Sequence, residues 1–398
     1  MSRLSRINII KEIEKKRGSK VITYITSDRE GIGVQIASDI ISIIHNHILL
    51  LGKTDDLKLD LFIYSRGGHS DVPWAIVSMF REYSKNGSFN ILIPYRAHSA
   101  ATVIALGADE IIMTKKAELG PIDITMSSGP YNPTEKDSHQ RLPISVEDVT
   151  GYFSLLNDIG CARPEEKMKG FELLTQNVHP LALGEVSRLL EQTKLVGLRL
   201  LSTRAKPFSD TENQEIIKGL SSEVFSHGHA INRTEALKYL QLKQVKNAED
   251  YNIADDLWSL YEEYRDLFYL EEPFKPEEYL ISHDLESYTW NQLNVACVES
   301  VNRMDICGTD MRVVRLRKIP PQLNIQLSNV AFPTINIANI PAGITPQQIQ
   351  AMIQQAAGAA IQQSINLSVA TAIEQLTRSL PQAGFEKIAF NSGWRRGR

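Results

Sequence analysis

Residues 90–114 read NILIPYRAHSAATVIALGADEIIMT, and the fold follows from this stretch. NILIPY, 90–95, is a short apolar run of strand type, and EIIMT, 110–114, is another. Between them lie the turn Arg96-Ala97-His98-Ser99 and the small-residue segment AATVIALGA, which reads as a helix. Strand, helix, strand is a βαβ unit, and such units build a mainly parallel sheet with helices on its faces.

The same rhythm extends upstream. VITYIT, 21–26, and LDLFIYS, 59–65, are two more strands. Over 32–51, Ile36, Ile40, Ile43, Ile44 and His47 recur at helical steps, and a second helix is expected from Val72 to Tyr83. Residues 4–17 form a charged amphipathic helix. Right-handed crossovers place the loops that follow each strand at one edge of the sheet, where open α/β sheets carry their sites. Two such loops stand out: Arg66-Gly67-Gly68 after 59–65, and the turn ending at Ser99.

Downstream, 124–145 (ITMSSGPYNPTEKDSHQRLPIS) is polar and reads as a long flexible loop of lid type. Helices are expected at 146–160, 163–177, 183–204 and 211–222, the last capped by Ser209 or Asp210. Asn232 or Thr234 caps a further helix, and another covers 254–270. NVACVESV and DMRVVRLRK, within 292–318, are two strands joined by a turn containing Gly308. From Ile319 to Ile373 the sequence has no charged residue. QLNIQLSNVAFPTINIANIP alternates like strands, and Thr345-Pro346 then opens a helix as N-cap and first residue. So uncharged a helix is expected to pack on another subunit or a partner, or to cover its own domain. The expected organisation is an N-terminal helix (1–20), a core (21–245), a helix-and-strand extension (246–318) and a strand/helix tail (319–398).

Bulk composition sets limits. Apolar residues make 42%, charged residues 23%, and the net charge is −4 over 398 residues. That is ordinary for a soluble globular protein and gives no general attraction to nucleic acid or anionic membrane. Cys161, Cys297 and Cys307 lack CxxC spacing, which fits a reducing, cytoplasmic setting and argues against structural zinc. The N-terminus lacks a signal-peptide core, and no run of about 18 apolar residues predicts a spanning helix. Peripheral membrane contact stays open.

The chemistry concentrates at the two loops. Acyl transfer needs a nucleophile, an oxyanion hole and a proton acceptor. Ser99 at a sharp strand-to-helix turn supplies the first. Its neighbour Ala100 offers a backbone N–H at a helix start, and Gly67-Gly68 can bring a second donor close to an anion. Each feature has a plainer meaning: Ser is a preferred helix cap, and Gly-Gly a plain turn. Their combination is what points to hydrolysis. His69 lies on the glycine loop. His98, next to Ser99, should point away from it. No GxxxxGK[ST], HExxH or dinucleotide fingerprint is present, and no cofactor is expected.

IYSRGGHSD at 63–71 resembles the oxyanion loop of the Clp protease proteolytic subunit and of signal peptide peptidase A. YRAHSAATVIALGADEIIMTKKAELGPID at 95–123 resembles the nucleophile segment of that superfamily. The best match within it is the serine dehydrogenase proteinase family, supported further by NVHPLALGEVSRLL at 177–190 and LSSEVFSHGHAINRTEALKYLQL at 220–242. The resemblance covers 20–245 well, 290–318 faintly, and not the tail. It implies an α/β Clp/crotonase-like core with a mainly parallel sheet and flanking helices, followed by a helical region and a C-terminal β/helix extension. It also implies a serine peptidase acting on peptide or protein substrates, and a homo-oligomer. One departure bears on the base. The position of the Clp histidine falls here on Asp123 or its neighbour, and that of the lysine of signal peptide peptidase relatives falls near Ile144. Lys136 and His139, in the polar loop, are the candidate bases, with Asp123 orienting a base or polarising water. His227 matches a family histidine and reads as a buried, hydrogen-bonded residue. The alternative is an inactive scaffold of the same fold that binds peptide or protein partners, with a crotonase-type acyl-CoA enzyme third, since fold does not fix function.

Overall fold

A computed structural model of the chain describes residues 2–52, 56–122, 125–126, 129–135, 141–160, 163–221, 228–318 and 345–397. They divide into two compact units. One is Met1–Phe274 with Gln292–Thr309 and Asn391–Arg398; the other is Lys275–Asn291 with Asp310–Phe390.

The strands in chain order are β1 (Lys20–Thr26), β2 (Lys58–Tyr64), β3 (Ser88–Ile93), β4 (Arg96–Ala97), β5 (Glu110–Met113), β6 (Glu118–Leu119), β7 (Thr125–Met126), β8 (Ile144–Ser145), β9 (Ile231–Asn232), β10 (Val245–Asn247), β11 (Ser287–Ser300), β12 (Arg303–Arg317) and β13 (Gln382–Arg396). The main sheet has the order β10-β5-β3-β2-β1-β11-β12-β13. From β1 to β10 the pairing is parallel, with Ile22 opposite Leu61, Leu61 opposite Ile91, Ile91 opposite Ile111, and Ile111 opposite Val245. β11 joins β1 antiparallel, Thr23 opposite Glu299.

The apolar runs of β1 and β2 are buried along nearly their whole length, as helices on both faces require. Alternation sorts the side chains. Ile22, Tyr24, Leu59, Leu61, Ile63 and Ile91 join one cluster, and Val21, Ile25, Phe62, Tyr64 and Leu92 join the other. The first cluster is closed by α2 (Ile40–Leu49), α3 (Val72–Tyr83), α4 (Ala100–Leu106) and residues of the later helices. The second is closed by α1 (Arg3–Arg17) and by α10 (Ala254–Phe268), which supplies Leu257, Leu260, Tyr264 and Phe268. Ion pairing assists: Arg6 Nε lies 2.7 Å from Glu299 Oε2 with both side chains buried, and Tyr264 donates to the same oxygen at 2.9 Å.

Between these lie α5 (Val146–Asp158), α6 (Pro164–Thr175), α7 (Pro180–Ser202), α8 (Asp210–Ser221) and α9 (Arg233–Lys238). Asn232 caps α9 by accepting from Thr234 N and Glu235 N, each at 3.0 Å. In the second unit, α11 is Pro276–Ser282 and α12 is Pro346–Ser379, opened by Thr345.

Three expectations need correction. The helix expected over 32–51 begins only at Ile40. Ile36 instead forms a parallel bridge with Gly68, which holds the preceding chain extended despite its helical spacing. The hairpin turn is Val301–Asn302, and Gly308 lies inside β12. The segment 124–145 is not a bare loop in its described parts: Thr125 pairs with Ser145, Met126 with Ile144, and Thr134 bridges Arg141. β13 has no counterpart in the sequence reading.

Candidate active site

β2 and β3 continue side by side into the loops that follow them. Ser65 N donates to Arg96 O, and His98 N donates to Ser65 O, both at 3.0 Å. The side chain of Ser65 accepts from Thr26 Oγ1 at 2.7 Å and from Gly67 N at 3.0 Å. Three neighbouring strands thereby fix the glycine loop from below.

Gly67 has φ 101°, in the region that favours glycine. A Cβ built on it would lie 2.7 Å from His98 O, 2.7 Å from Ser99 Cβ and 3.0 Å from Ala100 N. The glycine loop and the serine turn are therefore in direct van der Waals contact. Gly68 is pressed against the other side, where a Cβ would meet Ile36 O at 2.3 Å. Ile36 N donates to Gly67 O at 2.8 Å and His69 N to Ile36 O at 2.9 Å, so the loop is clamped as a short strand.

Ser99 adopts φ 50°, ψ −117° and makes no side-chain cap to α4. A non-glycine residue with this backbone stores strain, which marks functional turns more often than structural ones. Its plainer role as a helix cap is thus excluded. Behind it Ala100 and Ala101 are buried, and Thr102 Oγ1 ties the turn to Ala97 O at 2.7 Å and to Gly120 O at 2.8 Å. Among the described residues, the N–H groups of Gly68 and Ala100 donate to no protein group, and no side chain hydrogen-bonds the Ser99 hydroxyl.

The histidines nearby sit elsewhere. His98 is buried and turned toward Glu118, with Nε2 3.0 Å from Glu118 Oε1 but out of line for a hydrogen bond. Burial lowers its pKa, and the Glu118 carboxylate opposes this. His69 is exposed and contributes its backbone to the clamp. Asp123, Lys136, His139 and His227 lie outside the described residues.

The sequence reading did not single out Asp28, which binds the flanks of both loops. Its carboxylate accepts from Tyr64 OH at 2.7 Å, Arg66 Nε at 2.9 Å and Arg96 Nη1 at 3.1 Å. Burial and the adjacent Asp28 raise the Tyr64 pKa, which keeps the phenol a donor. Ser65 and Thr26 were equally silent in sequence, being ordinary strand-end residues. Among the described residues no group of three or more His, Cys, Asp or Glu side chains is placed to hold a metal, and no helix is long and apolar enough to cross a membrane.

A mainly parallel sheet whose adjacent strands end in a clamped glycine pair and a strained serine opening a helix is an α/β architecture with both loops at the edge where such sheets carry their sites. Residues 1–190 match the family of ClpP-like SDH-type serine proteinases. The match covers just under half of the chain, and over these residues the chain is similar to that family. Two relatives come from Methanocaldococcus jannaschii. Uncharacterized protein MJ1495 is 23% identical over 69% of this chain and 84% of its own length. Uncharacterized protein MJ0137 is 30% identical over 37% of this chain, and the match spans 52%, about half, of that relative. Similar solved structures include a serine-to-alanine mutant of the 1510-N membrane-bound stomatin-specific protease (16% identity, 56% of this chain, 77% of that one, TM-score 0.29). A lysine-to-alanine mutant of the same protease, in complex with a substrate peptide, is also similar (16%, 55% and 73%, TM-score 0.28).

Proposed function

We propose that Ser99 is the nucleophile of a peptide-cleaving enzyme, with the N–H groups of Gly68 and Ala100 forming the oxyanion hole. The observation that carries this reading is the contact of Gly67 with Ser99 Cβ and Ala100 N. It supports a placement in which donors from two loops converge beside one hydroxyl. Two such donors in a site shielded from water supply several kcal/mol at the transition state, about 3 kcal/mol for one. The strain at Ser99 supports the same reading, because it turns the hydroxyl away from the capping role it would otherwise fill.

The proton acceptor is assigned to Lys136 or His139, with Asp123 orienting it or polarising water. Support comes from the described residues, where neither His98 nor His69 bonds the Ser99 hydroxyl. The substrate class is peptide or protein. A homo-oligomer is part of the proposal. α12 has no buried side chain among its described residues, and Met352, Ile353, Leu367 and Ile373 are exposed at 41%, 42%, 71% and 47%. A second copy of the chain would cover this face.

The test is labelling of the full chain with a fluorophosphonate at neutral and alkaline pH, beside cleavage of a peptide library. Labelling at Ser99, its loss in Ser99→Ala and an unchanged oligomer size in light scattering are expected. Absence of labelling and cleavage at both pH values would replace the enzyme by a peptide-binding scaffold. Single variants Lys136→Ala, His139→Ala and Asp123→Asn identify the base by which one removes the alkaline rise in labelling rate.

A further inference from the structure

At the opposite edge of the sheet, where the parallel strands begin, the first unit holds a cavity of about 790 Å³. That size is ordinary for a small-ligand site. Lys58 and Ser88 stand in its wall at the starts of β2 and β3, Gln244 just before β10, and Arg204 and Lys206 after α7.

Two of these side chains are buried and incompletely matched. Arg204 is 8% exposed. Its Nε donates to Ala108 O at 3.1 Å and its guanidinium stacks 4.1 Å from the Phe208 ring centroid. Its Nη1 meets no protein acceptor among the described residues. Gln244 is 2% exposed, and neither Oε1 nor Nε2 of its amide has a partner among them. Buried polar groups are nearly always paired, and an unpaired charged donor is the costliest exception.

The nearby carboxylates are already engaged. Asp109 is held by Arg81 at 2.7 Å and by Ala205 N at 2.8 Å. Glu110 faces Arg17 at 3.3 Å and accepts from Tyr251 OH at 2.7 Å. Lys58 and Lys206 are exposed at the rim and enter no ion pair among the described residues. The wall thus presents surplus positive charge, with the unmatched Arg204 and Gln244 groups buried in the residues that line it, and such a lining suits a group with many oxygen acceptors.

We propose that this cavity binds a small phosphorylated anion, with Arg204 and Gln244 meeting phosphoryl oxygens from the buried wall and Lys58 and Lys206 meeting them from the rim. The site is independent of Ser99 and does not rest on the peptidase reading.

The test is calorimetric titration of the full chain with pyrophosphate, adenosine diphosphate and malonate, in salt near 0.15 M so that loose surface attraction is screened. Saturable binding of one pyrophosphate or diphosphate group per chain is expected, with malonate at least about tenfold weaker. Arg204→Met should remove binding. Because that variant changes a buried contact, Lys58→Glu/Lys206→Glu, confined to exposed positions, is the deciding one. It should keep the thermal midpoint and weaken binding about tenfold or more, and Ser99→Ala should bind like the parent. Better binding of adenosine diphosphate than pyrophosphate would identify a nucleotide, and equal binding a free phosphate group. No saturable binding, malonate binding as tight, or an unchanged double variant would overturn the proposal.

Discussion

Gly67 and Ser99 touch so closely that a methyl group built on the glycine would lie 2.7 Å from the serine Cβ. Residues more than one helix apart in sequence are thereby set as one surface. The contact has a direct consequence for Gly67→Ala. The backbone at φ 101° strains any L side chain, and the added methyl also meets His98 O at 2.7 Å. The serine turn must move, and shifts near 1 Å at a reacting group cost on the order of 100-fold in rate. Fluorophosphonate labelling of Gly67→Ala should slow by about that factor. Labelling at the parent rate would mean that the contact does not position the hydroxyl.

The pairing of Arg6 with Glu299 makes a separate prediction about stability. Glu299 is fully buried on β11, and it receives Arg6 at 2.7 Å and Tyr264 OH at 2.9 Å. Arg6→Met removes the hydrogen-bonded cation and leaves the buried carboxylate with Tyr264 and with Arg3, whose Nε lies 3.3 Å from Oε1, so the loss should fall toward the lower end of the about 3–5 kcal/mol typical of breaking a buried pair. Adding Glu299→Gln removes that charge and should restore a large part of the loss. Urea unfolding of the parent, the single and the double variant measures both steps. Equal stability of the single variant and the parent would show that Arg6 does not hold Glu299 in place.

The sheet was legible because the strands buried between two helical layers must be apolar along their whole length. VITYIT, LDLFIYS and NILIPY announce themselves for that reason, and β1, β2 and β3 follow them within a few residues. The chain before α2 was misread because a helical spacing of isoleucines says nothing about backbone partners. Ile36 is claimed by the glycine loop, a contact made across the fold. β13 escaped notice because a strand whose side chains are mostly exposed lacks a buried face to impose a pattern. At the site, Ser99 and the glycine pair were visible as unusual residue types at strand ends. Asp28, Ser65 and Thr26 were not, since their roles arise only when three strands align. Arg204 and Gln244 carry no local signature at all.

His47 gives a pH prediction. Its side chain is fully buried, with Nδ1 2.9 Å from Ser300 Oγ and Nε2 2.9 Å from Asp305 Oδ2. Burial lowers its pKa to about 4; Asp305 opposes this, while Arg303 and Arg3 add to it. The unfolded chain takes up the proton near pH 6.5 and the folded chain only near pH 4. The stabilisation is therefore complete above pH 6.5, declines as pH falls through the window, and is gone below pH 4. The whole step is worth roughly 3 kcal/mol. His47→Gln keeps hydrogen-bonding groups but cannot titrate, so its unfolding free energy should fall less steeply between these limits. Parallel slopes for parent and variant would show that His47 is not the group responsible.

The backbone of Ser99 yields the last prediction. At φ 50°, ψ −117° a residue with a Cβ is strained, and neither a helix cap nor a side-chain hydrogen bond among the described residues offsets this. Strain of this kind costs about 1–3 kcal/mol and survives where the surroundings over-determine the conformation. Here the surroundings are explicit: the Ser65 bridge, the Thr102 ties and the glycine loop pressed against the turn. Ser99→Ala keeps the strain and removes the hydroxyl, whereas Ser99→Gly removes both. Both variants should lose labelling, but only the glycine variant should gain stability, by about 1 kcal/mol after the extra chain entropy of glycine is allowed for. Comparison of the two by thermal unfolding separates conformation from chemistry. A glycine variant no more stable than the alanine one would mean that the turn is relaxed, and that the hydroxyl is presented at no conformational cost.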